Sequence, residues 1–371
     1  MRGRYLLCLV APFLFAACKP QQAPPRPAVA FVESVASDTS GLGRLAAGAG
    51  HGSLHGSIAL IGEPREGILL SRRFVSADQL DNIDGVSVRD SLPDFAGESF
   101  DVILDALNAP YSHFFSDGTD AADRVDSLRT AAVQNALFAW DSTCFRTSDL
   151  ESVMIKSRAK VLVFTSALQA QYGLFDVDTL QQLTGGVSHL ISPVNAMLEE
   201  AFASGARNLA VWTGRDVRAS QAWQAVFERE KADGASLAVI TPESALDART
   251  EFRDVLRQYR STGRMLDALL IDSYSVNLPS IFSELEMIRR GGTEEDAALG
   301  RMLSAQFRIE DAGSSAIRAT YALLRSRNLF THRIARPYAR FFETVEDAEG
   351  GAALVEVGAS YAQNAYVPDL N

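Results

Sequence analysis

The chain has few cysteines and lacks the short motifs that mark several common enzyme classes. Only three cysteines occur among its 371 residues. No His-Glu-x-x-His sequence is present, which removes the usual helix-borne zinc protease site. Neither a Gly-x-Gly-x-x-Gly fingerprint nor a Walker A sequence supports nucleotide binding, and no Gly-x-Ser-x-Gly elbow supports the simplest type of hydrolase. Motifs therefore identify no catalytic set, and no cofactor is predicted.

Positive charge is also scarce. The chain carries 35 basic and 46 acidic residues, a formal net charge of −11. Binding to nucleic acid or to anionic lipid needs a basic face, so an acidic chain is a poor candidate for either partner. Apolar residues make up 47% of the sequence, which is enough for a substantial core, and the length suggests two domains or lobes.

Residues 1–17 have the order of an export signal. Two arginines give a short positive segment, an uncharged apolar run follows over residues 5–15, and two alanines come before the predicted cleavage site. The apolar run is shorter than the ~20 residues that a membrane-spanning helix needs. Phe15-Ala16-Ala17-Cys18 resembles the lipobox of bacterial lipoproteins, although Phe is less usual than Leu at its first position. That resemblance implies a lipidated Cys18; an ordinary secretory signal followed by an accidental cysteine is the alternative.

Residues 18–30 follow as a proline-rich tether. They hold four prolines, and such a segment favours an extended polyproline II conformation of ~3 Å per residue. Lys19 stands after the cysteine, which by resemblance to the sorting rule of enterobacteria points to the outer membrane, on its periplasmic side. Loss of residues 1–17 leaves 33 basic against 46 acidic residues, a net charge of −13. A lipid on Cys18 would therefore supply all of the membrane affinity.

Cysteine and histidine offer little for a disulfide or a metal. With Cys8 removed and Cys18 lipidated, Cys144 has no second thiol for an intramolecular disulfide. Among the five histidines the close pair is His51 and His55, in a glycine-rich stretch that is more typical of a loop than of a metal site. No metal site is predicted.

From residue 159 onward, short apolar and β-branched runs alternate with helical stretches. Such alternation is typical of βαβ units that form a mostly parallel, doubly wound sheet with helices on both faces. The series predicts a main α/β lobe over residues 151–371. The predicted strands are 159–166, 187–192, 208–213, 236–241 and 266–272, and the predicted helices are 178–183, 193–204, 217–232, 245–262 and 279–290.

Residues 31–150 are less regular and predict a smaller N-terminal α/β lobe, so that the fold class is a two-lobed α/β protein. Its predicted strands are 57–62 and 68–75, and its predicted helices are 95–107 and 121–140. In the main lobe a C-terminal extension follows the last predicted strand. It holds a helix at 314–327 and then two strand-like runs, 338–344 and 352–357, that predict a β-hairpin.

Polar residues stand at the ends of the five predicted strands of the main lobe. In open parallel sheets ligands bind beyond the carboxyl ends of the strands, and helix N-termini there favour anions. The loop at residues 213–216 adds an arginine that could bind a carboxylate or phosphate through two hydrogen bonds. Ser, Thr and Asp are also the favoured helix N-caps, so capping alone is the alternative. The predicted ligand-binding residues are Ser166, Ser192, Asn195, Thr213, Arg215, Thr241, Asp272 and Ser273.

Residues 192–201 and 205–213 resemble the start of the second lobe in aspartate/glutamate racemase-like proteins. That family has two similar α/β lobes around a substrate pocket and uses two cysteines, one from each lobe. Here Cys144 is the one candidate thiol of the body, and Asp272-Ser273-Tyr274-Ser275 stands where the second thiol is expected. A hydroxyl is a much poorer acid or base near neutral pH. The resemblance therefore implies a shared fold more than racemase activity.

Three functions remain open. The first is a lipid-anchored envelope protein that binds a small polar or anionic solute between its lobes, by fold-level analogy with bacterial solute-binding proteins. The acidic body and the lack of a catalytic set favour it over catalysis. The second is a divergent racemase-like enzyme that uses Cys144 or a cleft carboxylate. The third is an accessory or structural envelope lipoprotein with no ligand.

Overall fold

The computed structural model describes residues 27–368, apart from 51–53, 83–84, 116–120, 244–246 and 332. The predicted signal peptide, Cys18 and most of the predicted tether lie outside the described residues. Within the described ranges, none of the helices combines the length and the apolar character that crossing a membrane requires.

Strands and helices alternate along most of the described chain. The strands are β1 (Ser57–Gly62), β2 (Ser99–Leu104), β3 (Thr143–Phe145), β4 (Ser152–Ile155), β5 (Ala159–Phe164), β6 (His189–Ile191), β7 (Asn208–Trp212), β8 (Ser236–Ile240), β9 (Leu266–Ile271), β10 (Leu303–Asp311), β11 (Tyr338–Glu346) and β12 (Ala352–Val357).

The helices cover the faces of the sheets. They are α1 (Ala30–Ser37), α2 (Leu42–Ala47), α3 (Pro64–Val75), α4 (Ala121–Trp140), α5 (Ala167–Tyr172), α6 (Leu174–Thr184), α7 (Pro193–Ala203), α8 (Arg215–Ala219), α9 (Ala222–Glu230), α10 (Ala248–Arg260), α11 (Leu278–Arg290), α12 (Glu294–Met302), α13 (Ala312–Ser326) and α14 (Ala359–Tyr366), with a short 3₁₀ helix at Tyr111–Phe115.

Two sheets organise the chain. The first has the strand order β12-β11-β2-β1-β5-β6, and the second has the order β10-β9-β7-β8. All neighbours within these sheets are parallel except β11 and β12, which pair in antiparallel fashion. The mostly parallel α/β fold and the C-terminal hairpin are therefore confirmed. The hairpin joins the first sheet, because β11 lies beside β2.

The predicted series of five strands divides between the two sheets. Strands β5 and β6 lie in the first sheet, and β7, β8 and β9 lie in the second. The boundary predicted at residue 150 falls between strands of one sheet, since Ile58 of β1 pairs with Val161 of β5. An apolar run indicates that a strand is buried. It does not specify the neighbouring strand, because parallel pairing joins segments that are distant in the sequence.

Two elements of the N-terminal region differ from their predictions. Residues 68–75, predicted as a strand, belong to helix α3, where Pro64 occupies the first turn and Gly67, Leu70 and Phe74 recur at helical spacing as buried residues. Residues 95–107, predicted as a helix, contain strand β2, whose residues from Phe100 to Leu104 are buried. When both faces of a strand are covered, apolar and polar residues do not alternate along it. The sequence pattern that distinguishes a strand from a buried helix is then missing.

A continuous apolar core joins the two sheets. One cluster of buried side chains contains Leu60 and Val163 of the first sheet together with Val211 and Leu270 of the second. Helices such as α3, α7 and α13 fill the space between the sheets, and further clusters cover their outer faces. This shared core holds the two sheets in one relative position.

Candidate active site between the two sheets

A cleft lies where the carboxyl ends of the two sheets face each other. Its volume is about 580 Å³, which is within the range of small-molecule sites. The first sheet reaches the cleft through the segments after β1 and β5, and the second through the segments after β7, β8 and β9. The polar side chains in its wall include Glu63, Arg65, Glu66, Ser112, Thr165, Ser166, Thr213, Arg215, Asp216, Thr241, Glu243, Glu251, Asp272, Ser273 and Ser275.

One hydrogen bond joins the two edges directly. The Tyr274 hydroxyl, from the segment after β9, donates to the backbone oxygen of Thr165 at the end of β5, at 2.6 Å. Both side chains are buried. Because the donor belongs to one sheet and the acceptor follows a strand of the other, the bond fixes the floor of the cleft.

Asp272 stands at the carboxyl end of β9 and is partly buried. Its Oδ2 accepts hydrogen bonds from the Trp223 indole N–H at 2.7 Å and from the Thr213 hydroxyl at 2.8 Å. Burial raises the pKa of Asp272, and the two donors oppose that rise. The carboxyl is thus held in one orientation beside the cavity.

Glu63 lies in the turn between β1 and α3, on the other side of the cleft. Its Oε1 accepts a hydrogen bond from the Tyr111 backbone N–H at 2.8 Å. Burial, reinforced by the nearby charge of Glu66, raises the pKa of Glu63 to about 7. Burial also raises the pKa of Glu66, although the charge of Arg65 acts in the opposite direction.

A buried network supports this turn from behind. The Tyr111 hydroxyl donates to Oδ2 of Asp105 at 2.7 Å and accepts from the Gln169 side-chain amide at 3.2 Å. Asp105 also accepts from the side chains of Asn108 and Thr344. Burial raises the pKa of Asp105. The network fixes Tyr111, and the backbone N–H of Tyr111 in turn positions the Glu63 carboxyl.

The structure brings six of the eight predicted ligand-binding residues into the wall of the cleft. These are Ser166, Thr213, Arg215, Thr241, Asp272 and Ser273. Ser192 and Asn195 are not among its lining residues. Ser192 caps α7 by accepting from the Asn195 backbone N–H, and the Asn195 side chain donates to Glu230. Ser166 both lines the cleft and caps α5, so its role as a helix cap does not exclude it from the cleft wall.

Cys144 does not reach the cleft, which corrects its prediction as a catalytic candidate. It lies in β3, opposite Met154 of β4, and is fully buried among apolar side chains. Burial raises the pKa of the thiol to about 11. A thiol buried in this way behaves as a small apolar side chain rather than as a nucleophile.

Neither Glu63 nor Glu66 is among the residues that the sequence predicts for the site. Glu63 stands between the predicted strand 57–62 and Pro64, and Glu66 precedes the run 68–75 that predicts a strand. The placement of Glu63 directly after the buried strand β1 was the available signal, because that strand end belongs to the same edge as the end of β5.

Two further predictions bear on the site. Among the described residues no group of three histidine, cysteine or carboxylate side chains is arranged to hold a metal ion. The prediction of a solute-binding protein that closes two lobes gains no support, because one apolar core spans both sheets. Closure around a ligand requires lobes that move about a hinge.

No protein-family model and no curated protein sequence matches the chain. Several solved structures are similar to it. Glutamate racemase from Francisella tularensis in complex with D-glutamate aligns with a TM-score of 0.49 at 11% identity, over 85% of this chain and 94% of that one. Glutamate racemase from Thermus thermophilus gives 0.46 at 12%, over 80% and 91%. An aspartate racemase homologue from Pyrococcus horikoshii gives 0.38 at 14%, over 73% and 99%. At such low identities and TM-scores these likenesses carry no argument about chemistry, which rests on the geometry of the cleft.

Proposed function

We propose that the cleft is the active site of an enzyme that moves protons to and from a small polar substrate, with Glu63 as a general acid and base. The observation that carries the proposal is the placement of the Glu63 carboxyl in the cleft wall, where the Tyr111 backbone N–H holds it and burial raises its pKa to about 7. A general acid or base is most effective when its pKa lies near the working pH. Strongly shifted carboxyls in a cleft are typical of functional sites.

Asp272 supplies the second acid–base group of the proposal. It approaches the cavity from the second sheet, whereas Glu63 approaches from the first. Two groups on different walls suit a reaction in which one removes a proton from carbon and the other returns a proton. A carboxyl with a pKa near 7 is close in basicity to a cysteine thiol of pKa ~8.5. The Glu63 carboxyl can therefore take the place of one thiol of racemase-like enzymes, and burial shifts the pKa of Asp272 in the same direction.

The test is exchange of the α-proton of amino acids in D₂O. The D and L isomers of glutamate, aspartate, alanine and lysine are each incubated with the protein, and the α-proton signal and the enantiomer ratio are followed. With the wild type, we expect the signal to decay and the opposite enantiomer to accumulate for at least one pair. Glu63→Gln and Asp272→Asn each lower the rate by at least ~100-fold, the usual contribution of a general acid or base.

Glu228→Gln is the matched control. Glu228 is an exposed glutamate on α9 that pairs with Lys231, outside the lining of the cleft. This variant keeps the wild-type rate. Exchange that persists unchanged in Glu63→Gln would contradict the assignment of Glu63, and a lack of exchange with every amino acid would contradict the proposed reaction. Ligand binding without exchange would instead indicate a binding protein.

A further inference from the structure

Acidic groups in the wall of the cleft outnumber basic groups. Six carboxyl groups line it, whereas two arginines do. Arg215 is exposed at the start of α8, and the charge of Arg65 partly offsets the rise that burial causes in the pKa of Glu66. The carboxyls in the wall are Glu63, Glu66, Asp216, Glu243, Glu251 and Asp272.

Two threonines in the wall have unused hydroxyl groups. Thr165 follows β5 and is 1% exposed, and Thr241 follows β8 in the other sheet. In the part of the chain that the structure describes, neither hydroxyl oxygen has a hydrogen-bond partner, although both are shielded from solvent. A buried hydroxyl without a partner is costly. Both residues line the cleft, and rotation of either side chain about χ1 would turn its hydroxyl toward a donor on a ligand.

We infer that the cleft takes substrates that carry a protonated amine beyond any α-amino group, and that it rejects acidic ones; this inference rests on the proposed function. An ammonium group offers three donors and no acceptor, and it carries the charge that the wall lacks. Carboxylates and hydroxyl oxygens are acceptors for it. A substrate with an additional carboxylate would place like charges together in the cleft, which is unfavourable.

An organic ammonium fits this wall better than a metal ion does. Among the described residues no three carboxyl, histidine or cysteine side chains are close enough to share a metal. The cavity of about 580 Å³ is also far larger than a bare cation. The carboxyls are distributed over both sheets, which suits a ligand with several atoms between its charged end and its reacting carbon.

Binding of a cation and binding of an anion have opposite proton signatures. A positive charge near Glu63 favours its ionised form and lowers its pKa from about 7. At pH 7 the group then releases part of a proton when the ligand binds. An anionic ligand has the opposite effect and causes proton uptake. The direction of proton transfer therefore reports the sign of the ligand charge.

The experiment uses the full chain with L-lysine, L-glutamine and L-glutamate as probes at equal ionic strength. Thermal unfolding and isothermal titration calorimetry at pH 7, in buffers of different ionisation enthalpy, measure binding and proton release. We expect lysine to raise the unfolding midpoint and to release protons on binding, and glutamate to do neither. Asp272→Asn weakens lysine binding by about tenfold or more, the effect of losing one charged hydrogen bond. Glu228→Gln leaves it unchanged.

The outcomes separate this inference from the proposed function. Lysine binding with proton release but no α-proton exchange supports the inference and contradicts the proposed reaction. Exchange confined to glutamate or aspartate supports the proposed reaction and overturns the inference. Tighter binding of glutamate than of lysine, proton uptake on lysine binding, or stabilisation by none of the three probes also overturns it.

Discussion

Replacement of Glu63 by glutamine should change how the stability of the protein depends on pH. The pKa of Glu63 is about 7 in the folded protein, against 4.5 for an unperturbed glutamate. The folded protein therefore holds this proton more tightly than the unfolded chain does. The stabilisation is fully present below pH 4.5 and is lost as the pH rises to 7. The difference between the two pKa values corresponds to about 3 kcal/mol.

Glutamine keeps the shape of the side chain and an oxygen that can accept from the Tyr111 N–H, but it does not titrate. Relative to the wild type, the Glu63→Gln variant should gain about 3 kcal/mol in the free energy of unfolding between about pH 4 and pH 8. Carboxyls remote from Glu63 titrate alike in both proteins and cancel in the comparison, whereas Glu66, whose charge acts on Glu63, adds a coupled difference. Urea unfolding at several pH values measures the two free energies.

The control is Glu228→Gln, whose difference from the wild type should stay constant because Glu228 is exposed. A difference between Glu63→Gln and the wild type that is the same at every pH would contradict this prediction. It would mean that Glu63 titrates alike in the folded and unfolded chains, and that the cleft does not desolvate its carboxyl.

Two further predictions concern groups outside the reaction itself. Tyr111→Phe removes the hydroxyl that donates to the buried Asp105, and urea unfolding should show a loss of about 1–3 kcal/mol in the free energy of unfolding. The control is Tyr361→Phe, at a residue 53% exposed, which should show no loss. Equal effects of the two substitutions would contradict the hydrogen-bond network around Asp105. Cys144 should resist a thiol reagent in the folded protein and react fully in denaturant, because its thiol is buried and its pKa is raised to about 11. Mass analysis of the peptide that contains Cys144 follows the labelling, and rapid reaction under native conditions would contradict its placement.

The sequence predicts the fold class well because buried parallel strands leave a strong apolar signature. Strands β5, β7, β8 and β9 fall within predicted runs, and Gly291 ends α11 where a helix stop was expected. The division of those strands between two sheets could not be predicted, since hydrogen bonding between parallel strands joins distant parts of the chain. The N-terminal errors have a related cause: when both faces of an element are buried, its periodicity disappears.

The candidate site was predicted in part. Polar residues at strand ends identified Thr213, Asp272 and four other residues of the cleft wall, because the carboxyl edge of a parallel sheet is a general location for ligands. Glu63 could not be singled out in the same way. Its significance comes from burial against the 3₁₀ segment that begins at Tyr111 and from a neighbouring carboxyl, both of which depend on the assembled structure.

The central claim is that Glu63 transfers a proton within the cleft, and the most direct test is the pH dependence of kcat/KM for α-proton exchange with the wild-type protein. This profile reports the pKa values of the essential acid and base in the free enzyme. We expect a limb with a midpoint near pH 7, the pKa of Glu63. A profile that is flat through neutral pH, or whose limb lies near the 4.5 of an ordinary glutamate, would contradict it.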